Sequence, residues 1–324
     1  MKNKFKIILS VMIGILIGIV PTYFIATRGA NTIYNSDVVY FDNEGTSLEA
    51  ETVQEALNEL YDRVKNNSSG GCPSGYHCYQ DYVTRISQDS TLTNIADAYR
   101  YTGATANNHV TFNGEDWRII GVYDGKLKIM RAEPLSEIRV YNSSTPNPGW
   151  SSSGLYTYLN QETSGGYYYG LTSEAKNMID TGTWNAGAAA YNATAPNAYS
   201  AATGTTATGK VGLVASYEYL YAADSSCWTV TGDYTNFVTN NSCQTKDWMY
   251  RSTNSSDEWT LSPSSSGTKY ALSLLSNGLV DNYGVANSFD FRPAVYLKST
   301  VAITGGNGGA SSSSRYTLEL QETN

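Results

Sequence analysis

The strongest constraint on this chain is a run from Ile7 to Ile25 that contains no charged residue. About 20 apolar residues are enough to cross a bilayer as a helix. Three lysines precede the run and only Arg28 follows it closely, an asymmetry that places the N-terminus in the cytoplasm. The sequence therefore predicts a single-pass anchor in the cell membrane over residues 1–27, with the remaining chain outside the cell.

A cleaved signal peptide is the alternative interpretation of this run. Its apolar core would normally be shorter, and small residues would mark the cleavage site. Phe24 stands where a small residue is needed before Ala26, which favours an uncleaved anchor. Both interpretations export the rest of the chain.

The composition fits an exported protein that binds other molecules. The net charge is −8, and three of the basic residues precede the anchor, so the exported part is acidic and repels nucleic acid. Only 15% of the residues are charged while 27 are tyrosines, and a surface rich in Tyr, Ser, Gly and Asn is typical of recognition sites. The same mixture is also ordinary in secreted β-rich proteins.

The four cysteines form two local pairs, Cys72 with Cys78 and Cys227 with Cys243. An even number of cysteines in an exported chain predicts disulfides, here within each pair. Zinc is the alternative because His77 adjoins Cys78. The spacing differs from that of usual zinc sites, however, and we expect no metal.

Residues 28–71 are predicted to form a stalk and linker. A capping box of Thr52 and Glu55 begins a helix over residues 52–65. Its apolar stripe could pair copies of the chain into a homo-oligomer; the stripe consists of Val53, Leu57, Leu60 and Val64. The segment TVQEALNELY resembles a segment of phage tail-fibre proteins, where it accompanies oligomeric shafts.

Residues 72–324 form the predicted extracellular head. Hairpins are expected at Asn113-Gly114, Asp124-Gly125 and Asn277-Gly278, because these dipeptides tolerate the positive φ of tight turns. The first two join three strands, on which Trp117, Ile119 and Tyr123 should share one face. A strand over 291–298 should carry Pro293 at an edge or at its start.

Short helices are expected between these strands. Helical spacing of apolar residues predicts one over 153–161, one capped by Thr172 or Ser173, and one capped by Ser216. Residues 186–209 are rich in Ala, Thr, Asn and Gly and are predicted to form a long surface loop. A second loop region, 224–250, is expected to be held by the second cysteine pair.

Blocks of the head resemble, in order, an uncharacterised domain family found in exported proteins of Gram-positive bacteria; the blocks are FNGEDWRIIG, LYTYLN, LTSEAKNMI, GKVGLVASYEYLYAA, WTLSPSSS and FRPAVYLKS. The family supplies no activity to carry over. Its closing pattern is similar to the ends of C-type-lectin-like and formylglycine-generating-type domains. The predicted fold class is therefore α+β, with an N-terminal transmembrane helix, a short helical stalk and a mostly antiparallel, C-type-lectin-like head.

Catalytic signatures are absent from the sequence, and we predict that the protein is not an enzyme. Of the two histidines, His109 is interpreted as a solvated residue rather than a catalytic base. Glu115 and Asp116 should point to opposite faces of a strand and so cannot act together in glycoside hydrolysis. Calcium at Asp281-Asn282 or at residues 42–45 is conceivable, but neither segment has the required ligand spacing.

Aromatic residues in predicted loops are the preferred binding candidates, because exposed rings stack on sugars and anchor protein contacts. They are Tyr167, Tyr168, Tyr169, Trp184 and Trp228. Burial in the core is the alternative for each of them. The favoured function is a membrane-anchored surface protein whose head binds a glycan or a surface protein. A subunit of a surface fibre and, third, a cell-envelope hydrolase are the alternatives.

Overall fold

The computed structural model describes residues 92–96, 98–147, 149–251 and 256–321. The predicted anchor, the stalk helix 52–65, the pair Cys72 and Cys78 and the boundaries of the predicted domains lie outside these residues. Within the described residues, no helix has the length and apolar character needed to cross a bilayer.

The described residues combine many strands with a few short helices, which confirms the α+β prediction. The strands are β1 (Leu92–Ile95), β2 (Ala98–Tyr101), β3 (His109–Phe112), β4 (Glu115–Tyr123), β5 (Lys126–Arg131), β6 (Arg139–Val140), β7 (Ile179–Asp180), β8 (Gly182–Asn185), β9 (Thr206–Gly209), β10 (Val211–Gly212), β11 (Glu258–Pro263), β12 (Tyr270–Leu274), β13 (Val280–Gly284), β14 (Ser288–Phe289), β15 (Ala294–Leu297), β16 (Val301–Gly305) and β17 (Thr317–Leu320). The α-helices are α1 (Gly154–Asn160), α2 (Tyr167–Gly170), α3 (Ser173–Met178), α4 (Ala195–Ala202) and α5 (Ser216–Ala222).

An antiparallel sheet in the order β1-β2-β4-β5-β15-β10 organises the head, with β3 added to β4 and β7 added to β15. The late strand β15 lies between β5 and β10, where Val295 pairs with Ile129 on one side and Val211 on the other. All four residues of β15 are buried. Pro293 immediately precedes the strand, as predicted, because proline cannot donate a ladder hydrogen bond.

The three predicted hairpins are confirmed. Asn113-Gly114 joins β3 to β4 and Asp124-Gly125 joins β4 to β5, and all four turn residues have positive φ. Asn277-Gly278 lies between β12 and β13. The turn chemistry of these dipeptides therefore fixed the pairing of neighbouring strands.

Two predicted helices are also confirmed with their caps. The Ser153 hydroxyl accepts a hydrogen bond from Tyr156 N at the start of α1, and the Thr172 hydroxyl accepts one from Ala175 N at the start of α3. Each hydroxyl satisfies a backbone donor that the first helical turn leaves without a partner. Helix α5 is capped by Ala215 and begins at Ser216. Ser216, which was predicted to be the cap, is therefore the first residue of the helix.

The prediction of a long surface loop over 186–209 is wrong. This segment contains α4, capped by Thr194, and β9, which pairs with β8. Helix α4 packs against α5, and its alanines Ala195, Ala198 and Ala202 are almost fully buried. Small side chains allow close helix contact, so the alanine-rich composition reflects packing rather than a flexible loop.

The segment 224–250 consists of short 3-10 turns and one π-helical turn, Tyr234–Asn240. The predicted disulfide between Cys227 and Cys243 is present and joins residues 16 positions apart. Trp248 donates its indole N–H to the carbonyl of Tyr101 in β2. This segment is therefore held both by its own covalent link and by contact with the sheet.

Candidate functional site

Three of the predicted site residues form one element, because Tyr167, Tyr168 and Tyr169 make up α2 together with Gly170. The helix follows Gly166, where a Cβ would collide with Gln161, so the chain can turn closely there only without a side chain. Tyr169 is 51% exposed, whereas Tyr167 and Tyr168 are half-buried. These residues thus form a helix rather than the predicted loop, and this helix presents the side chain of Tyr169 at the surface.

Two lysines lie against the exposed part of α2. The ammonium of Lys210 lies 4.5 Å from the centre of the Tyr168 ring. That of Lys176 lies 5.8 Å from the Tyr168 ring and 5.4 Å from the Tyr169 ring, and it donates a hydrogen bond to the Tyr169 carbonyl at 2.7 Å. These distances are those of cation–π contacts, which hold the ammonium groups beside the rings.

Lys210 is anchored at both ends. Its backbone N–H donates to Oδ1 of Asn160 at the C-terminal end of α1, and its ammonium donates to Glu162 at 2.7 Å. The hydrogen bond with Glu162 raises the pKa of Lys210 and lowers that of the exposed Glu162 carboxyl. The lysine therefore remains charged in a fixed position beside Tyr168.

Tyr167 points inward beneath the same helix. Its hydroxyl is buried and has no hydrogen-bond partner among the described residues, and burial raises its pKa above the ordinary value. The guanidinium of Arg131 is close enough to oppose this shift in the Tyr167 pKa, and it pairs with both carboxylate oxygens of Glu115 at 2.9 and 3.0 Å. Its Nη1 is also buried without a partner among those residues.

We call this arrangement the tyrosine patch; it comprises Tyr167, Tyr168, Tyr169, Arg131, Lys176 and Lys210. Sequence reasoning identified its aromatic members but missed the three cations. They come from β5, α3 and the link between β9 and β10, so only the fold brings them together. No local spacing in the sequence indicates this convergence.

Trp184 was expected in a binding loop, and the structure corrects this. The residue lies in β8 and has no exposed surface. Its indole N–H donates to the carbonyl of Gly209 at 3.0 Å, and the ammonium of Lys128 lies 4.6 Å from its ring. Trp184 is a core residue because its ring packs against Tyr296, with ring centres 4.8 Å apart, and against Gly212, so no ligand could stack on it.

Trp228 lies elsewhere, next to the disulfided Cys227. It is half-buried, packs edge-on against Tyr221 at 5.5 Å and donates its indole N–H to the carbonyl of Ala223. The five predicted aromatic residues therefore do not form one site. The three tyrosines lie together in α2, Trp184 belongs to the core, and Trp228 packs beside the loop closed by Cys227 and Cys243.

An open groove of about 290 Å³ was not predicted; its lining is Ile138, Arg139, Val140, Ser143, Gly154, Leu155 and Ser288. Ile138 is 59% exposed at its rim. The guanidinium of Arg139 lies 3.4 Å from the centre of the Tyr158 ring and pairs with Glu137. The groove begins at the N-terminal end of α1, whereas Lys210 contacts the C-terminal end of the same helix.

A cluster of charged residues is buried between the sheet and α5. The ammonium of Lys128 donates to both oxygens of Glu218 at 2.7 Å, and Arg100 lies 3.6 Å from the same carboxylate. Burial alone would raise the pKa of Glu218, but the two cations hold it below its ordinary value. Burial lowers the pKa of Lys128 despite this pairing.

Buried ionisable groups often mark functional sites, but this cluster is closed. Arg100, Lys128 and Glu218 each expose 2% or less of their surface. Aromatic rings of Tyr123 and Tyr296 cover the lysine at 5.2 and 5.0 Å. A ligand could reach the cluster only by separating α5 from the sheet, so we assign it to the architecture of the head.

Other candidate chemical groups are separated. Glu115 pairs with Arg131, while Asp116 pairs with His109 at 3.1 Å and with Arg315 at 3.1 Å, so the two neighbouring carboxylates point apart as predicted. His109 is thus held in a hydrogen bond with the Asp116 carboxylate rather than solvated. Within the described residues, no group of three or more acidic, histidine or cysteine side chains is placed to hold a metal ion.

Comparison with known proteins adds no further constraint: no protein-family model, no curated protein and no solved structure matches the chain.

Proposed function

We propose that this chain is a membrane-anchored cell-surface protein whose lectin-like head binds a glycan through the tyrosine patch, without catalysing a reaction. The apolar run over 7–25 supports the anchor. The observation that carries the binding role is Tyr169, which is half exposed beside Tyr168 with two ammonium groups next to the rings. Such a surface combines an apolar ring face for a sugar with fixed hydrogen-bond donors.

The proposal is tested with the full chain in detergent micelles on a panel of immobilised glycans. Tyr169→Ala should lower the affinity for a bound glycan about tenfold, as expected for an aromatic anchor residue. The melting temperature should stay unchanged, because the side chain is exposed.

Tyr234→Ala is the matched control, since Tyr234 is 55% exposed and lies in the π-helical turn, away from α2 in the sequence. It should leave glycan binding unchanged. Equal binding by wild type and Tyr169→Ala, or equal losses in both variants, would remove the tyrosine patch as the binding site.

A structural role in a surface fibre remains the second candidate, because the stripe of Val53, Leu57, Leu60 and Val64 suits pairing between copies of the chain. The two roles are compatible, since the stripe and the tyrosine patch lie in different segments. A chain that oligomerises and binds no glycan would favour the structural role alone.

A further inference from the structure

Three cations belong to the tyrosine patch, and two of them lie beside the rings of α2, a helix only about 6 Å long. Lys210 lies against Tyr168, and Lys176 lies against both Tyr168 and Tyr169. Only two carboxylates, Glu115 and Glu162, pair with these cations in the described part of the chain. When these two carboxylates are counted with the three cations, the tyrosine patch has an excess of one positive charge.

The donors of these cations are not all used. Lys176 has no carboxylate within ion-pair distance among the described residues, and its one hydrogen bond goes to a neutral carbonyl. Lys210 pairs with Glu162, but the Glu162 side chain is 66% exposed, so this ion pair is open to solvent. Nη1 of Arg131 and the hydroxyl of Tyr167 are buried without hydrogen-bond partners in that part of the structure.

From this geometry we infer that the tyrosine patch recognises an oxyanion carried by a sugar polymer: a carboxylate, a sulfate ester or a phosphodiester. This inference rests on the proposed function and narrows its ligand class. An oxyanion between the ammonium groups of Lys176 and Lys210 would accept their unused donors, while the sugar packs on Tyr169. The overall charge of −8 makes such a cationic spot selective, because the rest of the acidic surface repels the same polymer.

The test measures binding of the full chain in detergent micelles to four polymers: polygalacturonate, dextran sulfate, poly(glycerol phosphate) and uncharged dextran. At least one acidic polymer should bind in preference to dextran, and high salt should weaken that binding. The acidic polymer that binds shows whether the recognised oxyanion is a carboxylate, a sulfate ester or a phosphodiester.

Lys176→Gln should then lower the affinity for the acidic polymer about tenfold, the loss expected for a hydrogen bond to a charged group. Lys176→Arg should restore most of it, because the charge returns. Lys269→Gln is the matched control, since Lys269 is an exposed lysine that does not belong to the tyrosine patch. It should bind like wild type.

Results that contradict this inference alone differ from results that contradict the proposed function as well. Equal binding of acidic and neutral polymers, lost with Tyr169→Ala but not with Lys176→Gln, would overturn this inference and leave the proposed function standing. Equal losses in Lys176→Gln and Lys269→Gln would also overturn it, because they would indicate general charge attraction. Failure to bind any of these polymers or any glycan of the panel would overturn both.

Discussion

Trp184 and Tyr169 show how exposure separates two aromatic residues that the sequence treats alike. Both stand in polar segments rich in small residues, and both were predicted to bind a ligand. Trp184 is enclosed by packing against Tyr296 and Gly212, while Tyr169 is half exposed. The first therefore contributes to stability and the second to the surface available for binding.

Trp184→Ala should lower the free energy of unfolding by about 3 to 5 kcal/mol, because it removes a fully buried indole and leaves a cavity beside Lys128. Chemical denaturation of the full chain measures this change. Tyr169→Ala is the reference variant and should unfold like wild type. A Trp184→Ala protein of wild-type stability would contradict the burial of this residue.

His109 should give the protein a dependence on pH. Burial and then the charge of Arg118 lower its pKa below the ordinary value of 6.5, and the pairing with Asp116 only partly offsets this. The unfolded chain therefore takes up a proton at a higher pH than the native imidazole does, and the free energy of unfolding should fall as the pH drops below about 6.5.

Denaturation curves between about pH 7 and pH 5.5 measure this loss, a window in which ordinary carboxylates stay ionised. His109→Gln should flatten the slope. His77→Gln provides the comparison, because it removes the other histidine of the chain. An unchanged slope in His109→Gln would show that this residue does not cause the dependence.

Elements defined by their own residues were predictable, and those defined by distant contacts were not. The three hairpins and the caps of α1 and α3 follow from turn dipeptides and hydroxyl side chains that act locally. Helix α4 was missed because alanines signal packing only when the partner helix α5 is known. The Lys128–Glu218 pair joins residues 90 positions apart, so no sequence spacing indicates it.

Strand β4 illustrates a second reason why a prediction from the sequence was wrong. Alternation predicted that Trp117, Ile119 and Tyr123 share one face. The register with β5 shifts between Ile119 and Gly121, and beyond this bulge Tyr123 donates its hydroxyl to Glu218 on the side of α5. Ile119 instead opposes Ile129, the neighbour of Lys128, and so faces the other way.

The disulfide should stabilise the segment 224–250, because it joins two residues of that segment that are 16 positions apart. Replacing Cys227 and Cys243 by serine together should lower the free energy of unfolding by about 3 kcal/mol, the value expected for a loop of about 15 residues. Urea denaturation measures it. The double variant at Cys72 and Cys78 serves as the comparison for the other cysteine pair, and wild-type stability in Cys227→Ser/Cys243→Ser would refute this contribution.

At the scale of the whole molecule, the stalk is predicted to control assembly. Leu57→Asp places a charge in the apolar stripe and should convert oligomers of the full chain into monomers, as analytical ultracentrifugation in micelles would show. Asn58→Asp adds the same charge beside the stripe and should leave the oligomers intact. A wild-type chain that is monomeric at high concentration would refute assembly through the stalk.

The position of β15 determines when the head can be completed. Residues 294–297 fill the gap between β5 and β10, so both of those edges stay open until this late strand has been synthesised. The sheet can therefore close only when the chain has been synthesised past residue 294. A chain cut short before that residue would keep bare strand edges that invite aggregation or proteolysis.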